Sequence, residues 1–189
     1  MRILLRNSWN RTAFSLNGKA VFSLLRSIVV VTIILSCSTE SFAKLPRYVV
    51  IDSIVVHKSS RKMYVYMDGE WVKTYRIALG AQPIGRKRCS GDCRTPEGRY
   101  YIEDKNPNSD YHKNLGISYP NDRDRARAKK LGRSPGGDIK IHGLPNGKGY
   151  LGRSHRVYDW TEGCIAVTNE EIDELYSHVE IGTPIYIFP

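Results

Sequence analysis

Apolar and polar residues alternate as strands do from Lys44 to about Leu79, the signature of strands that bury one face. The stretch Val49-Val50-Ile51-Asp52-Ser53-Ile54-Val55-Val56 is rich in β-branched side chains, Met63-Tyr64-Val65-Tyr66 follows, and Asp68-Gly69 is a hairpin turn before Trp71-Val72-Lys73-Thr74-Tyr75-Arg76-Ile77-Ala78. An antiparallel β-meander is predicted. Residues 80–98 collect glycines, prolines and two cysteines, which predicts a loop, and Arg99-Tyr100-Tyr101-Ile102-Glu103 resumes as a strand. From 106 to 137 the alternation is lost and the chain reads as irregular except for one helix. Asn121 caps residues 122–131, acids fall in its first turn and bases in its last, and Gly132 ends it. With almost no apolar face it reads as a solvated surface helix in preference to a polyanion-binding one.

Beyond Ser134-Pro135-Gly136-Gly137, Asp138-Ile139-Lys140-Ile141-His142 predicts a short strand, and residues 146–161 a Gly- and Arg-containing loop. Cys164-Ile165-Ala166-Val167 predicts a second short strand. Thr168 and Glu171 then form a capping box that opens a helix over 170–178, and Thr183-Pro184-Ile185-Tyr186-Ile187-Phe188 closes the chain as a strand. Many strands against two short helices predict a mainly β domain, a β-sandwich or partly closed barrel.

Length changes this picture only by limiting it: 189 residues hold one domain and a terminal extension. The extension is read in residues 1–43. Arg2, Arg6, Arg11, Lys19 and Arg26 form a basic region, residues 28–35 an uncharged apolar core, and Ser41-Phe42-Ala43 a cleavage site. The expectation is a signal peptide over 1–43 and a mature domain over 44–189, located in the periplasm or cell envelope. An uncleaved anchor and a lipid on Cys37 are the alternatives, and they supply the only expected membrane contact. The net charge of +10 falls to +6 without that extension, since five basic residues and Glu40 lie within it. An excess of this size fits an anionic polymer or a membrane surface as well as it fits nucleic acid and does not choose between them, and no nucleic-acid partner is expected.

Export gives the cysteines meaning. Cys89 and Cys93 flank Ser90-Gly91-Asp92, a flexible turn that lets them meet, so a local disulfide is expected between them. That leaves Cys164 as an unpaired thiol. A thiol becomes a nucleophile when a neighbour takes its proton, most often a histidine. His142 is the candidate, placed at a strand end by Ile139 and Ile141, with a carbonyl at Gly143 available to fix its tautomer. Gly163 allows a sharp turn before Cys164, so that the Gly163 and Cys164 amides could face a developing oxyanion. Taken singly, the cysteine and the histidine each read as ordinary packed residues; taken together in an exported chain, they read as a catalytic pair. A zinc site on His142, His155 and Cys164 lacks a compact ligand pair, so neither metal nor cofactor is expected.

Ile141-His142-Gly143, followed after a loop by Thr161-Glu162-Gly163-Cys164 and a short apolar run, resembles the YkuD-type L,D-transpeptidase catalytic domain of bacterial cell-wall enzymes. The likeness extends over the meander, Thr95-Pro96-Glu97-Gly98, Ser134-Pro135-Gly136-Gly137 and the closing Gly182-Thr183-Pro184. It implies an L,D-transpeptidase fold in which Cys164 is the nucleophile, His142 the base, Gly143 its carbonyl orienter, and Gly163 with Cys164 the oxyanion amides. Thr161 would support the loop. With Glu162, Arg153 and Tyr119 it is also named as lining the substrate groove. Such enzymes cut a peptidoglycan stem peptide between a diamino acid and D-alanine and pass the acyl group to an amine, a wall-attached lipoprotein or water. A wall-binding protein without turnover is the reading from another class. Glu162 stands where the family commonly has histidine, and Ala166 where it commonly has a polar or basic residue. These departures direct attention to the acceptor, and similar boxes occur in a branch with a member thought to release lipoprotein from peptidoglycan.

Overall fold

The computed structural model describes residues 44–189. The signal peptide expected over 1–43, with Cys37, lies outside the described residues. The predicted meander forms: β1 (Ser53–His57), β2 (Lys62–Met67) and β3 (Glu70–Arg76) pair antiparallel in sequence order. The turn between β2 and β3 puts Asp68 and Gly69 both at positive φ, as a tight hairpin requires.

The remaining strands are β4 (Gly98–Ser109), β5 (His112–Ile117), β6 (Lys140–His142), β7 (Ile165–Ala166) and β8 (Pro184–Phe188). Together they make one eight-stranded sheet in the order β3-β2-β1-β8-β4-β5-β6-β7. The sheet curls until its edges meet. The chain just past β3 pairs with β7 through reciprocal Ala78 and Ala166 bonds of 2.9 Å, and Gly80 bridges Thr161. The result is the partly closed barrel expected, built from one continuous sheet and not from two stacked ones.

Two differences from the sequence reading concern residues 106–158. The alternation fades after Glu103, yet β4 runs on to Ser109 and turns back as β5, with irregular register at two points. The expected irregular segment is therefore partly a hairpin. Most of its exposed positions are polar and its interior holds Asn114 beside Leu115, so the apolar period is masked there. The loop after β6 contains a 3-10 helix over Gly149–Val157, kinked at Gly152.

Helix α1 (Asp122–Lys130) starts at an Asn121–Asp124 capping box. Asp124 is also buried, where it accepts a bond from the Tyr100 hydroxyl at 2.9 Å, so the helix is anchored to β4 by a polar contact in place of an apolar stripe. Helix α2 (Asn169–His178) has the expected Thr168–Glu171 box and buries Ile172 and Leu175. Residues 80–98 are pinned by Lys58, whose buried ammonium donates to the Gly85 carbonyl, the Thr95 carbonyl and Glu97 at 2.7–3.1 Å. Replacing one partner of such a pair leaves the other buried and uncompensated. The loop is also tied within itself, where the Gly80 amide donates to Thr95 Oγ1 at 3.0 Å, and it meets the segment that precedes β7 where the Ala81 amide donates to the Thr161 carbonyl at 2.9 Å.

Candidate active site

Strands β6 and β7 run parallel with Ile141 beside Ile165 and His142 beside Ala166. Ile139, Ile141, Ile165 and Val167 all belong to the core. Side chains alternate along a strand, so burying these four turns Lys140, His142, Cys164 and Ala166 to the other face. His142 and Cys164 thus share one face on neighbouring segments, two residues apart in register.

His142 is buried, and its Nδ1 lies 2.7 Å from the Gly143 carbonyl. A carbonyl can only accept, so Nδ1 carries the hydrogen and Nε2 keeps its lone pair. Burial pushes the imidazole down to about 4, against the opposing pull of that carbonyl. Gly143 is required by close approach: a Cβ there would lie 2.8 Å from Asn169 Oδ1 and 3.0 Å from Ile172. Tyr111 and Trp160 wall the ring, their centroids 4.6 and 5.7 Å away. Trp160 is itself placed by its neighbour Asp159, whose carboxylate accepts from Arg61 and from the Leu79 amide. Its indole N–H donates to His155 Nδ1 at 3.4 Å. Burial pushes His155 down to about 4 as well, and its Nε2 is enclosed with no partner.

The half-buried Cys164 thiol donates to the Asp138 carbonyl at 3.6 Å. Burial pushes it above the ordinary thiol range, while the Lys140 N–H at the sulfur and the ammonium charges of Lys140 and Lys87 pull the other way. The resting pair is a thiol beside a neutral imidazole. A raised thiol and a lowered imidazole favour proton transfer that accompanies attack over a preformed ion pair.

The loop that presents Cys164 is tied internally. Thr161 Oγ1 accepts from the Gly163 amide at 3.1 Å and donates to the Cys164 carbonyl at 2.8 Å. Two expectations change here. The Gly163 amide is engaged with Thr161 and does not face the cleft as an oxyanion donor. Thr161 is buried with its hydroxyl engaged in the loop, so its side chain is turned to holding that loop and away from the cleft surface. Gly163 instead serves by its shape, with φ of +135° and a would-be Cβ 2.7 Å from the Arg94 carbonyl. Gly163→Ala is expected to cost about 3 kcal/mol from strain and clash together, read as a fall in Tm and a changed alkylation rate at Cys164. Gly132, at φ +62° with open space around it, provides the control, since Gly132→Ala should lose only about 1 kcal/mol.

Other expected residues fall apart from this centre. Tyr119 is 4% exposed, packs edge-on against Tyr100 and donates to the Pro135 carbonyl, so it belongs to the wall under α1 and not to a groove. Glu162 and Arg153 are both exposed, Glu162 two residues before Cys164 and Arg153 on the 3-10 helix. Cys89 and Cys93 are free thiols, so the expected disulfide is not formed. Their turn is organised by the Asp92 carboxylate, which accepts from the Arg88, Cys89 and Arg94 amides and from Lys87. Burial raises that carboxyl, but these donors outweigh it and hold it below the usual range. Among the described residues, no group of three or more His, Cys, Asp or Glu side chains is placed to hold a metal ion. Tyr111 and Lys140 were missed in the sequence. Lys140 was within reach of the same period-two reasoning that placed His142, whereas Tyr111 depends on the unforeseen hairpin.

A model of the L,D-transpeptidase catalytic domain, YkuD, matches residues 51–187. YafK, a candidate L,D-transpeptidase of Escherichia coli strain K12, is 30% identical over 133 residues, covering 67% of this chain and 46% of YafK. The chain thus spans about half the length of the curated relatives it matches. Among solved structures, the helical cell shape determining protein Pgp2 of Campylobacter jejuni shares 26% identity at a TM-score of 0.55, over 72% of this chain and 47% of Pgp2. Bd1075 of Bdellovibrio bacteriovorus shares the fold, with a TM-score of 0.51 at 23% identity over 77% of this chain and 54% of its own.

Proposed function

This chain belongs to the YkuD L,D-transpeptidase catalytic domain family, and from that premise we propose that it is an exported cysteine acyltransferase acting on peptidoglycan stem peptides. Residues 1–43 would direct export and 44–189 would carry the chemistry. The observation that carries the reading is the β6–β7 pairing, which sets His142 and Cys164 on one face with the His142 tautomer already selected by the Gly143 carbonyl.

In the proposed reaction Cys164 Sγ bonds to the carbonyl carbon that joins the diamino acid to D-alanine, and the thiol proton passes to His142 Nε2. The tetrahedral adduct collapses, the C–N bond breaks, and that proton leaves with the D-alanine amine. An acceptor amine then attacks the thioester, its proton goes to Nε2, and the departing sulfur recovers it. With the Gly163 amide engaged, the Cys164 amide is the proposed oxyanion donor.

The test is incubation of the full chain with a tetrapeptide stem, with and without a second stem that offers an amine. Transfer predicts a mass adduct on Cys164 and a cross-linked dimer that forms only with the acceptor. Tripeptide and free D-alanine with no dimer under either condition would replace transfer by hydrolysis. A tetrapeptide left unchanged and an unmodified Cys164 would overturn the enzyme reading in favour of wall binding.

A further inference from the structure

Lys140 sits next to the reacting thiol on the cleft face, and no part of the mechanism above uses it. Ile141 pairs with Ile165, so Lys140 is the β6 residue alongside Cys164, and its backbone N–H is directed at the sulfur. On its other side β5 presents Gly116 as the register partner. A glycine there puts no side chain between Lys140 and the Asp104 side chain of β4, which closes over Gly116 so nearly that an added Cβ would lie 3.1 Å from Asp104 Cβ. The Lys140 side chain is only 27% exposed, and its ammonium is 2.7 Å from the Asp138 carboxylate.

Asp138 is an unusual partner. Its carboxylate is 81% exposed, so the ion pair is solvated and readily exchanged. Its backbone is held at φ +59°, and its carbonyl accepts from the Cys164 thiol. The same residue therefore reaches both the nucleophile and the neighbouring ammonium. Its carboxylate marks where an acid group rests when the acyl-accepting sulfur is a few atoms away.

We propose that Lys140 is a specificity residue that binds the free carboxylate of the amino acid on the amine side of the scissile bond, with the Asp138 carboxylate holding that position in the empty site. The inference rests on the acyl-transfer reading and says which amines that site prefers. In a terminal amino acid the carboxylate is one carbon removed from the amine. An acid group on Lys140 consequently brings the departing nitrogen to the carbon that Cys164 attacks. The reverse step, attack of an amine on the thioester, passes through the same arrangement, so leaving and entering amino acids share the subsite. Planar, strongly hydrogen-bonding carboxylates suit such a charge-assisted contact. Asp104, which covers Gly116 on the far side of Lys140, disfavours a second acid group there.

The experiment uses the full chain and reads alkylation of Cys164 by iodoacetamide, which requires no turnover. N-acetyl-D-alanine is compared with its uncharged amide as a protecting ligand. The acid is expected to bind about tenfold more tightly than the amide, the scale of one charge-assisted bond. Lys140→Gln should bring the two to equal affinity, Lys140→Arg should keep the preference, and Asp138→Asn should strengthen protection by the acid. Equal protection by acid and amide in the wild type, or an undiminished acid preference in Lys140→Gln, would overturn the proposal. If Lys140→Gln does not fold, the wild-type contrast and Lys140→Arg decide the matter. Failure of a stem tetrapeptide to acylate Cys164 speaks against the proposed function, whereas loss of the acid-over-amide contrast speaks only against the subsite.

Discussion

Cys164→Ala is expected to abolish the mass adduct formed with a tetrapeptide stem and to lower turnover about 10⁴-fold or more, the scale seen when a covalent nucleophile is deleted. The structure makes this a clean substitution. Cys164 sits just ahead of β7 and turns away from the core, its sulfur meeting the backbone carbonyl of Asp138 and the backbone N–H of Lys140. Alanine removes one sulfur from a half-buried position and keeps the backbone that Thr161 ties down. Its stability cost should be about 1 kcal/mol, well below what unfolds a domain. A Tm within a few degrees of wild type together with full loss of product is the expected result. Unchanged product formation in this variant would end the assignment of the nucleophile.

The second large effect belongs to His142, and it has a pH signature. His142→Gln removes the base but leaves a side chain of similar reach, and activity should fall about 10² to 10⁴-fold. Burial lowers the wild-type imidazole to about 4, and the same burial raises the thiol. Acylation should therefore hold its rate as pH falls from 7 to 5 and decline only near 4. A decline centred at the ordinary histidine value of 6.5 would contradict the buried, neutral ring. Stability follows the same group with a definite sign. Below 6.5 the unfolded chain takes up a proton that the folded chain refuses, so stability falls as pH drops from 6.5 to 4. The lowering corresponds to about 3 kcal/mol once pH is below both values. His155 is lowered to the same degree by burial, with the Arg156 and His142 charges adding to it. Wild type should then lose roughly twice as much stability across that window as His142→Gln, as measured by urea unfolding at stepped pH.

Aromatic side chains connect these two histidines. Trp160 touches both rings, bonding His155 through its indole N–H and packing edge-on to His142. Asp159 and Arg61 fasten it to the end of the meander, and Arg156 pairs with Glu171 of the α2 capping box. The segment between His142 and Cys164 is consequently anchored at its C-terminal half by ion pairs to two different elements. The exposed Tyr150 and Leu151 lie in the other half, across the Gly152 kink.

The amino-acid sequence alone determined the meander, both helices with their caps, and the family, and it singled out one histidine and one cysteine as candidates. Each of these is local: an alternation of period two, a Thr168–Glu171 spacing, an Asp68-Gly69 turn, a short motif around Gly163. Tertiary structure decided what depends on contacts between remote segments. Polar residues hid the β4–β5 hairpin, so the Tyr111 wall beside His142 could not be foreseen. Thr161 consumes the Gly163 amide because the loop folds back on itself, and Asp92 gathers the turn that the cysteines were expected to close. Tyr119 left the groove because α1 anchors through Asp124 to Tyr100, against which it packs. Lys140 shows where the boundary lies. Its face was fixed by the strand period, but its place beside the thiol required the register of β6 on β7, which no stretch of either strand encodes by itself.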